Sequence, residues 1–350
     1  MASRDTTELS DVSKMKSEVD GSFKRVTSTF RSVIEAGGQF TPEKDRYHLY
    51  VSYACPWATR TLIVRKLKGL EQIIPLTVVS PRLGEHGWPF GNVDEFPGAE
   101  ADPLYNSNYI NDLYLRADPR ICVPVRPARP AKFTVPVLWD KKLNTVVNNE
   151  SSEIIRMFNS AFNDMLPTDK AALDLYPEPL RAEIDALNDW VYSDINSSLT
   201  WGCFILLTYD LQTAFIMRGF ATQQAVYEKA VVKLFEGLDK VEQILTGKDY
   251  LVGGQLSEAD VRLFVTVIRF DPAYVGHFKC NIRTIRDGYP AIHSWLRKLY
   301  WTIPAFKDST FFDHIKGGYY ESHPNPTDDM AQINPTRIIP VGPLPHIMPL

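Results

Sequence analysis

A cysteine that ends a strand and opens a helix is a candidate nucleophile, and one stands in Tyr53-Ala54-Cys55-Pro56-Trp57-Ala58. The free amides and positive end of a helix N-terminus favour the thiolate, drawing the pKa below the free value of about 8.5. Proline next to it suits the first helical position, where a missing N–H costs nothing. Position 58 is Ala, so no resolving thiol lies within reach in sequence and an external thiol must release any mixed disulfide formed on Cys55. Cys122, Cys203 and Cys280 are far apart and no CxxC pair occurs, so neither a dithiol nor a zinc site can be built locally. The bland reading of Cys55, an inert buried thiol, is disfavoured by its place at a helix start.

Two further segments could serve that sulfur. Thr134-Val135-Pro136-Val137 puts a proline at the start of a strand, where an extended and cis-capable X-Pro bond would aim the Val135 backbone at a peptide-like thiol. Asn149-Glu150-Ser151-Ser152-Glu153 lies where a hairpin feeds a helix, so Ser151 and nearby N–H groups can hold a carboxylate while Glu150 pairs with an ammonium. Singly these are an edge-strand proline and an N-cap. Together with Cys55 they describe one cleft for a γ-glutamyl thiol.

The elements that must position them follow from periodicity. Residues 1–40 are polar, rich in Ser and Thr, and read as an extension on the surface. Residues 47–53 alternate as a strand and lead into a helix over 57–67, and residues 73–79 form a second strand. Residues 80–108, rich in Gly, Pro and Asn, are too long for a simple connection and form a functional loop or insertion. A helix is expected over 108–115, strands over 133–140 and 145–148, and a helix from Ser151 to about Phe162. The stretch from Pro119 to Lys132 is basic and proline-rich and is expected to hold no regular element. Residues 41–163 therefore read as an α/β domain, and residues 170–320 as an all-α domain. In the latter, Val231, Leu234, Phe235, Leu238, Val241, Ile244 and Leu245 form one helical stripe, and Ser257 with Asp260 forms a capping box. Seven prolines in the last thirty residues predict an extended tail over 321–350.

At 350 residues, 44% apolar and 12% aromatic, the chain has material for about two globular domains. A net charge of −4 supplies no field for nucleic acid or an anionic membrane, and no apolar stretch is long enough to span one. The acidic residues near the start and the missing apolar leader favour a cytoplasmic location. No His-rich metal motif, GxGxxG or Walker loop occurs, so neither a metal nor a nucleotide cofactor is expected.

The three site segments, the two-domain order and the Ser257/Asp260 box resemble the cytosolic glutathione transferases. Longer runs are similar to one branch, the Xi-class transferases or glutathionyl-hydroquinone reductases: Cys55-Pro56-Trp57-Ala58, residues 62–70 (LIVRKLKGL), residues 133–140 (FTVPVLWD), residues 148–156 (NNESSEIIR), Arg269-Phe270-Asp271, residues 274–281 (YVGHFKCN) and residues 333–337 (INPTR). The resemblance covers about residues 40–345. It implies a thioredoxin-like N-terminal domain followed by an all-helical domain, and a homodimer. It further implies that Trp88, the Val135 backbone, Glu150 and Ser151 contact glutathione as co-substrate, and that Tyr192 and Tyr274 belong to an acceptor pocket, with no permanently bound cofactor. The chain departs from that branch between Asp118 and Phe133, leaving open which of Arg116, Arg126, Arg129 and Lys132 faces the glycine carboxylate of glutathione. The implied reaction is reduction of glutathionyl-hydroquinones through a Cys55–glutathione mixed disulfide, with Tyr192 or Tyr274 as acid. The alternatives are an omega-like thiol transferase or dehydroascorbate reductase, or a ligand-binding or interaction module without catalysis.

Overall fold

The computed structural model describes residue 28 and residues 30–83, 86–122, 133–196 and 224–321. Arg126, Arg129, Lys132, Cys203 and the proline-rich tail lie outside these.

A mixed sheet carries the first unit. Strands β1 (Tyr47–Val51), β2 (Leu76–Val78), β3 (Val137–Asp140) and β4 (Thr145–Asn148) lie in the order β2-β1-β3-β4, with β1 parallel to β2 and the other neighbours antiparallel. Helix α1 (Pro56–Leu67) crosses from β1 to β2, α2 (Ile110–Ala117) precedes β3, and α3 (Ser151–Ser160) follows β4 and packs against α1. This is the thioredoxin-like arrangement. The alternation in residues 47–53 predicts one buried face, whereas all five residues of β1 are buried. The second face is covered by the long loop: Phe90 meets Tyr50 edge to face, and the Tyr50 hydroxyl donates to Asp102 at 2.9 Å. Residues 30–40 also lie on the fold, since Ser32 N–H donates to the Val147 carbonyl and Ile34 and Phe40 are buried.

Element ends differ from the periodic reading for local reasons. Gly69 at φ 69° opens a 3₁₀ turn over Leu70–Gln72 whose Leu70 carbonyl takes the N–H groups of Ile73 and Ile74, so β2 starts only at Leu76. Asp112 accepts from the N–H groups of Asn108 and Tyr109, which makes Tyr109 the cap and moves α2 two residues on. The start of the segment expected to be irregular, Pro119–Cys122, makes a 3₁₀ turn.

The second unit is helical: α4 (Arg181–Val191), α5 (Gln224–Leu245), α6 (Glu258–Val267), α7 (Pro290–Thr302) and α8 (Phe312–Glu321). Two π-helical turns interrupt it, Tyr192–Asn196 and Phe270–Tyr274, and the first is tied to α6 by the Thr266 hydroxyl, which donates to Asn196 Oδ1 at 2.8 Å. Helix α1 is buried nearly all round because α3 covers one flank and α6 another. Several of its polar side chains bond inside: Thr59 and Thr61 hydroxyls donate to the Cys55 and Ala58 carbonyls, and Arg65 Nε to Ile74 O at 2.7 Å. The seam between the units thus runs along the helix that Cys55 starts.

Candidate active site

Cys55 is the N-cap of α1, with Pro56 at the first helical position. The Cys55 N–H donates to Ser52 O at 3.1 Å, and the Cys55 carbonyl receives the Thr59 N–H, so the turn from β1 into α1 is held on both sides of the sulfur. Across from it, the Val135–Pro136 bond is cis. The Cys55 thiol donates to the Val135 carbonyl, with Sγ 3.7 Å from the oxygen.

The third segment joins the second through Tyr114. The Tyr114 hydroxyl donates to Thr134 O at 2.8 Å and accepts from Asn149 Nδ2 at 3.0 Å. Glu150 caps α3, and its carboxylate accepts from Ser152 and from the Ser28 hydroxyl. Ser151 is 2% exposed, and its Oγ, like Asn149 Oδ1, is buried without a hydrogen-bond partner among the described residues. An orphan buried hydroxyl at a helix N-terminus is a place where a bound carboxylate would complete the bonding. Cys55, Val135, Glu150 and Ser151 therefore lie on connected loops.

The sulfur itself differs from the expectation of a helix-stabilised thiolate. The Trp57 and Ala58 amides and the charges of Arg269 and Arg60 do draw its pKa down, but Cys55 is fully buried, and burial pushes the thiol up by more. In this arrangement the sulfur is a thiol that donates to the Val135 carbonyl.

Of the remaining candidates, Tyr192 opens the first π turn and its ring lies 5.8 Å from that of Trp57 in the first turn of α1. Tyr274 closes the second π turn. It is fully buried, with its hydroxyl 3.1 Å from that of Tyr319 on α8. Trp88 is buried in the long loop, where its carbonyl takes the Ile110 N–H at 3.0 Å. Arg116 lies over the Tyr105 ring at 4.2 Å.

Two features had no assigned place in the sequence reading. Arg269, at the end of α6, donates from Nη2 to Tyr53 O at 3.0 Å and to Thr59 Oγ1 at 2.8 Å, and from Nε to Ala54 O at 3.2 Å. Helix α8 approaches the same turn so closely that a Cβ on Gly318 would stand 2.6 Å from Ala54 Cβ. Arg269 was visible only as part of a family-like run, and Gly317-Gly318 inside a helix was the available signal for a close approach.

Residues 54–161 match the family model of the glutathione S-transferase N-terminal domain, and residues 224–298 that of the C-terminal domain. The chain is 50% identical over 335 residues to glutathione S-transferase omega-like 2 of Schizosaccharomyces pombe, covering 95% of this chain and 96% of that protein. It is 46% identical to glutathionyl-hydroquinone reductase YqjG of Escherichia coli, covering 92% and 89% respectively. The glutathione-bound structure of YqjG superposes with a TM-score of 0.76 over 94% of this chain and 96% of that chain, at 45% identity. The Xi glutathione transferase of Phanerochaete chrysosporium is 60% identical, with a TM-score of 0.84 over 98% of this chain and all of that one.

Proposed function

The chain belongs to the Xi-class glutathione transferases, the group that includes glutathionyl-hydroquinone reductases, and from that premise we propose that it reduces glutathionyl-hydroquinones with glutathione through a Cys55 mixed disulfide. The observation that carries this reading is Cys55 Sγ facing the Val135 carbonyl at 3.7 Å, on a loop that Tyr114 links to Asn149, two residues before the orphan Ser151 hydroxyl. A γ-glutamyl carboxylate at Ser151 and the α3 amides, with the cysteinyl backbone along Val135, would bring a glutathione sulfur to Cys55. Trp88 and Glu150 complete this glutathione site in the same reading.

The first half-reaction starts from the keto tautomer of the substrate ring, which carries a hydrogen on the sulfur-bearing carbon. The Cys55 thiolate attacks the glutathione sulfur, an S–S bond forms, and the S–C bond breaks with its electron pair passing into the ring. The ring oxygen takes a proton from Tyr192 or Tyr274 and hydroquinone leaves. A second glutathione then attacks the mixed disulfide, giving GSSG and free enzyme. Disulfide formation supplies the two electrons that reduce the ring. A homodimer working on glutathione and glutathionylated quinones belongs to the same reading.

The test mixes the protein with glutathione and a glutathionyl-hydroquinone, with dehydroascorbate in parallel. Free hydroquinone and GSSG in equal amounts are expected, with one glutathione on Cys55 by mass spectrometry when the second thiol is withheld. Reduction of dehydroascorbate alone would replace this acceptor with that of an omega-like enzyme.

A further inference from the structure

Arg269 is fully buried, and its four hydrogen bonds all go to uncharged oxygens: the Val265 carbonyl of its own helix, the carbonyls of Tyr53 and Ala54, and Thr59 Oγ1. Among the described residues no carboxylate pairs with it. Taking a guanidinium out of water without a counter-ion is costly, and an anion arriving at some stage would offset that cost. The group framed by its three contacts in the first unit, residues 53, 54 and 59, is Cys55. Two carboxylates act near the turn without bonding to Arg269: Glu100, which acts on Tyr53, accepts from the Val78 N–H at 2.8 Å, and Asp313 acts on His314. Arg60 on α1 is a second cation, lying 4.2 Å over the Trp57 ring. Burial holds Tyr53 neutral by raising its pKa and His314 of α8 neutral by lowering its own, and His314 stays at the Pro97 carbonyl. Tyr192 and Tyr274 are phenols of the other unit.

We infer that Arg269 is a positioning residue for the Cys55 chemistry: reaching across from the helical unit, it clamps the Tyr53–Ala54 turn and stores a positive charge that the thiolate of Cys55 neutralises when the site ionises. The inference rests on the proposed role of Cys55 but not on the identity of the acceptor. It makes the reactivity of a thiol in one unit depend on a side chain of the other. The resting thiol, which donates to Val135 O, and the ionised one, paired with the guanidinium, are then two states of one turn.

The experiment titrates Cys55 by the ultraviolet absorbance of its thiolate, with Cys55→Ser as blank, in the full chain and in Arg269→Met, Arg269→Gln and Arg269→Lys. The neutral variants should raise the midpoint by about one unit, as loss of a nearby opposite charge does. They should also slow mixed-disulfide formation with GSSG at neutral pH about tenfold, with the rate regained at higher pH. Arg269→Lys should return the midpoint close to that of the parent. Arg269→Gln keeps two donors for the carbonyls and serves if Arg269→Met does not fold. An unmoved midpoint, or a rate lowered equally at every pH, overturns the inference. The titration needs no quinone, so a parent that ionises as expected yet releases no hydroquinone would sink the proposed substrate and leave Arg269 untouched.

Discussion

Helix α6 is capped by Ser257, whereas α3 is capped by Glu150 with Ser151 as its first residue, and the two starts are finished to different degrees. At α6 the bonding is closed: Asp260 accepts from the Ser257 N–H and hydroxyl, from Leu251 N and from Trp295 Nε1, each at 3.0 Å. At α3 the bonding is only partly closed: the Glu150 carboxylate accepts from Ser152, but Ser151 Oγ and Asn149 Oδ1 are buried with no partner among the described residues. The start of α1 resembles the second kind, since Cys55 makes no side-chain cap bond to its own helix and turns its thiol to Val135. A saturated helix start holds architecture in place. An unsaturated buried one keeps bonding capacity for something that comes and goes.

The contrast can be broken by substitution. Cys55→Ser should abolish hydroquinone release while leaving the melting temperature nearly unchanged, because serine is a good N-cap and the fold asks little of the sulfur. Residual turnover above the uncatalysed rate would remove Cys55 as nucleophile. Asp260→Ala should do the reverse, lowering stability by about 3 kcal/mol in urea unfolding by stranding buried donors. A loss below about 1 kcal/mol would mean the closed cap is dispensable. Ser151→Ala sharpens the comparison: the glutathione KM should rise about tenfold, as for a lost hydrogen bond to a charged group, with stability equal or slightly higher because an orphan hydroxyl is gone. If stability falls and KM holds, α3 is an ordinary capped helix. The smallest effect is expected of Tyr274→Phe and Tyr192→Phe, each slowing the first half-reaction several-fold while sparing release of a preformed Cys55–glutathione disulfide. Equal slowing of both steps would deny them the acid role.

The parts of the site that lay within one short stretch were legible. Cys55-Pro56 announced a helix start, Val135-Pro136 an unusual peptide bond and Ser257 with Asp260 a box, because each depends on neighbours a few residues away. The two units likewise followed from a switch between periods. What stayed hidden depends on contacts between distant stretches. Nothing around Arg269 announces that it will bond to Ala54, 215 positions earlier. The burial of both faces of β1 is set by a loop whose own sequence shows no period. The protonated resting state of Cys55 was missed for the same reason: a helix start is local and lowers the pKa, whereas the desolvation that wins is made by the whole surrounding wall.

Helix α8 has two adjacent glycines in its interior, at about 1 kcal/mol each relative to alanine. At Gly317 a methyl would stand 2.8 Å from the Phe96 ring, and at Gly318 2.6 Å from Ala54. Phe311 and His314 make aromatic contacts with Tyr53, but beside Ala54 the α8 wall is bare main chain. Such a wall has no rotamers to vary, so the approach of α8 to Ala54 is set by direct main-chain contact, and any side chain added there would have to push the two apart.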